Sequence, residues 1–272
     1  MTESLDNAAN PPQEREEVFR QRWTLKRFVA WLSEKYSIEC CRETCRKALK
    51  QLGFSWKKAR KLLNKADKQA RKIFVEKLKG LLKSATAGER LIIFMDEAHI
   101  HLDTDEGYGW SVKGERFWVS SSSPGLAKVS FYGVYLYNKG EVRLFPYDKA
   151  DGNNTKDVLE KIRAEFPSDP ITLVWDGASY HRGKIAIEAA EKLDIEIERL
   201  PGYSPDFMPV EHLWQWLRED VTYHVCYDKE SKLISKVGEF EKLINTTPLE
   251  VADRLWVKTY LDASQEKLRF ST

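Results

Sequence analysis

The chain has 272 residues, of which 42% are hydrophobic and 32% are charged. These proportions are typical of a soluble globular protein, and no apolar run reaches the roughly 18 to 20 residues of a membrane-spanning helix. We therefore expect no membrane partner, and the polar N-terminus shows no apolar signal-peptide region. The four cysteines are too few for a disulfide scaffold and indicate reduced thiols in the cytoplasm.

The net charge of +2 hides a strong asymmetry between two parts of the chain. Residues 1–90 contain 22 Lys and Arg against 11 Asp and Glu, whereas residues 91–272 contain 22 against 31. A basic part joined to an acidic part suggests that the first binds a polyanion and that the second gathers carboxylates for a metal.

The first predicted elements are two helices separated by a short turn. Residues 1–21 are polar and without periodicity, which predicts disorder. WTLKRFVAWLSEKY predicts an amphipathic helix with Thr24 as its N-cap. RETCRKALKQLGF predicts a second, basic helix that ends at Gly53. Helix, turn and basic helix form the helix-turn-helix pattern, whose second helix enters the major groove of DNA, and we assign it to residues 22–65.

Positive charge is concentrated in this segment and just after it. From Arg42 to Lys72 there are twelve Lys and Arg but only two acids. Such residues bind phosphate without reading base sequence. The predicted DNA contacts are Arg42, Arg46, Lys47, Lys50, Lys57, Lys58 and Arg60.

After a connecting helix, assigned to residues 66–88, the pattern becomes rich in strands. RLIIFMDEA predicts a buried strand, and two hairpins are predicted from GYGWSVKG with RFWVS and from KVSFYGVYLYN with EVRLFPYD. Helix, strand, helix, strand and helix then alternate, so residues 89–225 predict an α/β domain with a mixed sheet. Residues 226–272 predict a C-terminal helical extension. No glycine-rich phosphate loop is present, so no nucleotide cofactor is expected.

Three acids in the second part occupy positions that favour a metal site. Asp96 follows the apolar run LIIFM, Asp176 follows ITLVW, and Glu211 lies just after Pro209 at the start of a predicted helix. Each acid alone could be an ordinary cap or a solvated side chain. Together they offer hard oxygen ligands, which suit Mg²⁺ or Mn²⁺, and two such ions can act on a phosphodiester.

The flanking residues carry a resemblance to a known family. VWDGASYH and LPGYSPDFMPVEHLW, whose acids are separated by 34 residues, resemble the second and third signatures of DDE transposases of the insertion-sequence 630 and mariner superfamily. IFMDEAHI resembles the first signature, and GYGWSVKGE resembles the segment that follows it there. One departure is Phe207-Met208, which stands where the family usually has Leu-Asn. Another is that members often carry two helix-turn-helix units where this sequence shows one.

The resemblance implies an RNase H-like fold, a mixed sheet flanked by helices, preceded by a small all-α helix-turn-helix domain of winged-helix type. It implies that Asp96, Asp176 and Glu211 are the catalytic triad and hold two Mg²⁺ or Mn²⁺ ions per active site. The implied partners are double-stranded DNA, both the element's inverted repeats and the target, and a second copy in a homodimer. The implied location is the nucleoid in the cytoplasm of a bacterium or archaeon.

Two alternatives stay open from the sequence. His99-x-His101 is a pattern found in zinc hydrolases, because both side chains would share one face if the strand continued. The same alternation would place Asp96 on the other face. Glu97 and His181 are candidates for an auxiliary role in the active site. A DNA-binding regulator without catalysis, derived from a truncated or domesticated transposase, would keep the basic module and need no metal.

Overall fold

The computed structural model describes residues 23–55, 67–121, 127–177 and 183–261. The chain divides into two compact units, with the boundary between residues 62 and 63. Within the described ranges, no helix has the length and apolar character needed to cross a membrane.

In its described residues, 23–55, the first unit contains two helices joined by a short turn. Helix α1 spans Leu25–Tyr36 and α2 spans Arg42–Gln51. Thr24 caps α1 as predicted, because its hydroxyl accepts the backbone N–H of Arg27 at 3.3 Å. The chain leaves α1 through Ser37, whose φ of 53° lies in the left-handed region. The predicted order of helix, turn and basic helix is confirmed.

The second unit is built on one sheet. In chain order its helices and strands are α3 (Lys68–Thr86), β1 (Leu91–His101), β2 (Lys128–Leu136), β3 (Glu141–Tyr147), α4 (Gly152–Glu165), β4 (Ile171–Trp175), α5 (Lys184–Lys192), β5 (Ile195–Arg199), α6 (Val210–Leu217), α7 (Glu230–Ile244) and α8 (Pro248–Arg254). The strands lie in the spatial order β3-β2-β1-β4-β5 and pair antiparallel from β3 to β1 and parallel from β1 to β5. This arrangement confirms the predicted mixed sheet.

Side-chain alternation along β1 separates two cores. Ile92, Phe94 and Ala98 belong to a core shared with α3, α6, α7 and α8. Ile93 and Met95 belong to a second core on the opposite face, shared with α4 and α5. Every second residue of a strand points to the same face, so this division tells which face each polar residue of β1 occupies.

One predicted hairpin is wrong. GYGWSVKG and RFWVS form no strand in the structure, and residues 106–121 run as irregular chain with one turn. The physical reason is exposure: Trp110 is 102% exposed, Tyr108 98% and Trp118 76%. A strand is stabilised when one of its faces is buried, and these side chains cover no core. The other predicted hairpin is confirmed as β2 and β3.

The predicted C-terminal helices are present as α7 and α8. Leu233, Val237 and Val251 are almost fully buried and join the core on the α6 side of the sheet. The part of the predicted extension after residue 261 lies outside the described residues.

Candidate active site

Asp96 lies in the middle of β1 and not at the end of a strand, which corrects the expectation from the apolar run LIIFM. The strand continues to His101 because it stays paired with β2 over its whole outer half. The parallel pairing with β4, by contrast, joins Leu91–Phe94 to Ile171–Val174 and ends there. Asp96 therefore lies where the sheet narrows. It is two residues beyond Phe94, the last residue of β1 that pairs with β4.

Asp176 directly follows β4, as predicted, and β4 is the parallel neighbour of β1. The pairing of the two strands ends at Phe94 and Val174, two residues before each aspartate. Two acids that are 80 positions apart in the sequence are thus carried by adjacent strands and follow the same end of their pairing.

Glu211 approaches this point from α6. The helix begins at Val210 after Pro209, and Glu211 occupies its first turn, as predicted. Val210, Leu213 and Leu217 are fully buried and hold the helix against β1 and β2. The backbone N–H groups at a helix N-terminus favour a negative side chain there.

Burial and mutual repulsion raise the pKa values of two of these acids. The pKa of Asp96 rises to about 7, first because the carboxyl is desolvated and then because Glu211 and Glu97 carry like charge. A hydrogen bond from the Trp214 indole N–H to Asp96 Oδ2, at 2.9 Å, acts in the opposite direction. Burial also raises the pKa of Glu211, where Arg218 lowers it and Asp176 raises it. Glu211 is thus electrostatically coupled to both aspartates.

The three acids lie near the edge where β4 ends but do not converge into one set of metal ligands. Among the described residues, no group of three or more His, Cys, Asp or Glu side chains is close enough to hold a metal ion. What the structure provides is a partly buried concentration of negative charge at the edge where β4 ends. Such a site favours either bound protons or a divalent cation.

Comparison with protein families identifies both units. A family described as DDE superfamily endonuclease matches residues 91–234, which is more than half of the chain. The chain belongs to this DDE endonuclease family. A second family, described as winged helix-turn helix, matches residues 20–78.

The relatives of this DDE endonuclease confirm the resemblance predicted from its motifs. The insertion element IS630 uncharacterized 39 kDa protein of Shigella sonnei is 23% identical over 234 residues. That match covers 84% of this chain and 66% of the relative, so the chain spans slightly less than two thirds of the relative's length.

Solved structures show the fold. The Mos1 strand transfer complex has a TM-score of 0.62 at 14% identity, with 93% of this chain and 81% of that chain covered. A Mos1 paired-end complex with the left transposon end has a TM-score of 0.59 at 15% identity, covering 93% and 83%. The predicted fold class, an RNase H-like sheet preceded by a helix-turn-helix domain, is confirmed.

The histidines of β1 lie on the far side of the sheet from Asp96. The strand does continue, so Glu97, His99 and His101 alternate onto the face of the second core. His99 Nδ1 is 2.9 Å from the Ser130 hydroxyl, and burial lowers its pKa. Glu97 lies on the opposite face of the sheet from Asp96, and its negative charge contributes to the raised pKa of Asp96. His181 lies outside the described residues.

A polar cluster that the sequence did not reveal fixes the segment before α6. Asp206 accepts two hydrogen bonds from the Arg71 guanidinium, at 2.9 and 2.7 Å, and one from Lys258 at 2.7 Å. Arg71 also lies 4.5 Å from the centre of the Phe207 ring. Met208, which stands where the family usually has Asn, is 3% exposed. These contacts order the turn before α6, and nothing in the motif indicates partners so distant in the chain.

The residues of α2 that are predicted to contact DNA differ in their contacts within the protein. Arg42, Lys47 and Lys50 are exposed. Arg46 instead pairs with Glu43 on the same helix, with Nε donating to Oε2 at 2.7 Å. The remaining predicted contacts, Lys57, Lys58 and Arg60, lie outside the described residues.

Proposed function

We propose that the chain is a DNA transposase that uses Asp96, Asp176 and Glu211 as its catalytic carboxylates. The observation that carries the proposal is that β1 and β4, which lead to the two aspartates, are adjacent parallel strands, and that α6, whose first turn holds Glu211, packs on β1. The motifs that resemble the family signatures contribute these same three acids. Membership of the DDE endonuclease family supports the reaction class.

The donor set fits Mg²⁺ or Mn²⁺, and we propose two ions per site. Partly buried carboxylates that repel one another are stabilised by a divalent cation, and oxygen ligands suit these two metals. Structures of Mos1 paired-end complexes with Mn and with Mg are among the similar folds. Bound at these carboxylates, the ions would supply Lewis-acid stabilisation of the oxygens that attack and leave phosphorus.

The residues of the chain have three tasks in this reaction. Asp96, whose pKa is raised to about 7, holds a proton over part of the neutral pH range in the metal-free site and must release it before it can serve as a ligand. The N–H of Trp214 donates a hydrogen bond to one oxygen of Asp96. The buried side of α6 keeps bulk water from one flank of the site.

The proposed reaction has two displacements. A water oxygen bonds to phosphorus at the end of the element, and the P–O3′ bond breaks to leave a 3′-OH. This 3′-OH then attacks a target phosphodiester, whose own P–O3′ bond breaks. Each attacking hydroxyl loses a proton and each leaving oxygen gains one, so no protein nucleophile is required.

We propose that residues 22–65 bind the inverted repeats, that residues 66–88 connect the domains, that residues 89–225 carry out catalysis and that residues 226–272 support the catalytic domain. Exposed cations on α2 suit phosphate contacts. The Mos1 structures are of paired-end and strand-transfer complexes, and joining two ends requires at least two copies, so we propose a homodimer. The substrate places the protein with the nucleoid in the cytoplasm.

The test is cleavage of end-labelled DNA that carries the coding region of this chain with its genomic flanks. We expect cutting in Mg²⁺ or Mn²⁺ and none in EDTA. Asp176→Asn should reduce the rate by at least about a hundredfold, because metal stabilisation is worth several kcal/mol. Glu160→Gln, the same loss of charge on the exposed face of α4, serves as the control.

Equal cutting by wild type and Asp176→Asn would contradict the proposed mechanism. Sequence-specific binding without cutting in either metal would favour the DNA-binding regulator.

A further inference from the structure

Trp214 makes a contact that its place in the helix alone does not explain. It lies three residues after Glu211 on α6, so the two side chains share one side of the helix. The indole is 2% exposed and donates its N–H to Asp96 Oδ2 at 2.9 Å. One side chain thereby links the helix that carries Glu211 to the strand that carries Asp96.

The strand next to Asp96 is shaped to admit this indole. Gly133 of β2 is the residue paired with Asp96. A Cβ atom at this position would lie 2.6 Å from Trp214 Cη2 and 3.0 Å from Val210 Cγ1. Cβ atoms in proteins essentially never come within 3.0 Å of a heavy atom of a non-neighbouring residue. A larger residue opposite Asp96 would therefore push the indole away from the carboxylate.

We propose that Trp214 is a positioning residue, which orients the Asp96 carboxylate toward Glu211, and that Gly133 provides the space for it; this rests on the proposed function. Rotation of a carboxyl group about its last bond is only weakly restricted, so a single well-placed donor determines where its oxygens point. Hydrogen bonds to metal ligands commonly change metal affinity by about 10- to 100-fold.

The first experiment observes the hydrogen bond in metal-free protein. The chain contains nine tryptophans, so ¹⁵N labelling gives a small set of indole N–H resonances, and Trp214→Phe assigns the relevant one. At pH 8 we expect Asp96→Asn to shift the Trp214 resonance and to leave that of Trp216 unchanged. A Trp214 resonance that does not respond to Asp96→Asn overturns the proposal.

The second experiment measures Mn²⁺ affinity by electron paramagnetic resonance of the unbound ion. Trp214→Phe keeps an aromatic ring and removes the donor, and it should raise the dissociation constant by about 10-fold or more. Trp216→Phe is the matched control. Trp216 lies on the same helix, is 5% exposed and donates its N–H to Asp220 Oδ2 at 2.8 Å. We expect its loss to change Mn²⁺ affinity by less than about twofold.

Gly133→Ala provides a test that keeps the indole. It should weaken Mn²⁺ binding in the same direction as Trp214→Phe and shift the Trp214 resonance. Unchanged Mn²⁺ affinity in Trp214→Phe and Gly133→Ala, or equal losses in Trp214→Phe and Trp216→Phe, would overturn the positioning role.

The two proposals can fail separately. DNA cutting by wild type together with unchanged Mn²⁺ affinity in Trp214→Phe would contradict only the role of Trp214. Weakened Mn²⁺ binding in Trp214→Phe, in a protein that cuts no DNA, would contradict only the transposase. Absence of Mn²⁺ binding by wild type would contradict the metal site and the positioning role together.

Discussion

A carboxyl group that is buried beside other acids must keep a proton, bind a cation or destabilise the fold. Asp96 is in this position. Its side chain shares the site with Glu211, and burial with like charge raises its pKa to about 7. In the unfolded chain an aspartate has a pKa of about 3.9. The folded state therefore holds one more proton than the unfolded state between these two values.

This difference determines how stability should change with pH. Because the pKa of Asp96 is raised in the folded state, its favourable contribution to the free energy of unfolding is complete below pH 4. This contribution is lost as the pH rises through about 7. Asn stays neutral and can still accept the N–H of Trp214. Asp96→Asn should therefore raise the melting temperature of the EDTA-treated protein at pH 8 by a few degrees and have little effect at pH 4. A shift of equal size at both pH values, measured by thermal unfolding, would contradict this account.

At the scale of single residues, the sequence located the three acids but not the contacts that orient them. Trp214 belongs to an apolar stripe on α6, and burial of that stripe follows from its helical spacing. Periodicity reports that a side chain is buried, and it carries no information about the partner of a polar atom at its tip. The contact with Asp96 depends on Gly133 in a different strand, which only the three-dimensional register reveals.

At the scale of elements, the Asp206 cluster ties α3, the turn before α6 and the segment after α8 to one carboxylate. Arg71 and Lys258 lower the pKa of Asp206 to about 2 against the effect of its burial. A lowered pKa stabilises the fold above the unfolded value near 3.9, and this contribution is lost as the pH falls toward 2.

Asp206→Asn should lower stability at pH 7 by about 1–2 kcal/mol, after allowance for the partial exposure of the carboxylate. Urea unfolding at pH 7 and at pH 3 tests this expectation, and the difference between variant and wild type should shrink at the lower pH. Asp228→Asn, which removes an exposed carboxylate 2.8 Å from Lys232, is the control and should have little effect. An equal response of both variants would show that the cluster is ordinary surface charge.

Two glycines should respond to alanine in opposite directions because their elements differ. Gly140, at the turn between β2 and β3, has φ of 64°, and a Cβ there would lie 2.5 Å from the Pro248 carbonyl oxygen. Gly80 lies inside α3 with nothing within 4 Å of the added atom. Gly140→Ala should destabilise the protein by more than about 1 kcal/mol, and Gly80→Ala should stabilise it by about 0.5–1 kcal/mol. Thermal unfolding measures the stability of both variants. A stability change of the same sign in Gly140→Ala and Gly80→Ala would contradict this explanation from backbone geometry.

Elements were predictable from the sequence where burial drives them. The strands β1, β2, β3 and β4 were visible as apolar runs, and α6 as a stripe after Pro209. The hairpin assigned near Trp110 failed because aromatic residues favour strands in general, whereas these aromatic side chains stay exposed. The length of β1 was also underestimated, since pairing with β2 extends it through polar residues.

At the scale of the whole molecule, positive charge is concentrated before the sheet begins. The surplus of positive residues lies within the first 90 positions, which include the helix-turn-helix unit and helix α3 of the second unit, and the surplus of acids lies in the rest of the chain. This division was predictable because charge and hydrophobic periodicity are properties of sequence alone. The spacing of Asp96, Asp176 and Glu211 in the sequence did not predict that they act together. That expectation came from the family resemblance.

DNA affinity should depend steeply on salt if α2 contacts phosphates. We expect Lys47→Ala to weaken binding to a double-stranded probe and to reduce the slope of log K against log salt by about one. Arg46→Ala should have a smaller effect, because its guanidinium already pairs with Glu43. Fluorescence anisotropy from 50 to 200 mM NaCl measures both slopes. A slope that neither substitution changes would place the DNA contacts elsewhere.

The mismatch in length between β1 and β4 has a consequence for the motions of the backbone. Ile93 and Phe94 are paired with both β2 and β4, whereas the outer half of the strand, from Met95 to His101, is paired with β2. Amide groups in the inner half should exchange with deuterated solvent only through large-scale opening of the sheet, and many in the outer half through local fluctuations. Peptides from either side of Asp96 should therefore differ in their exchange rates. The first carboxylate would then mark the point at which a rigid interior strand becomes a more mobile edge strand, paired with β2 on one side.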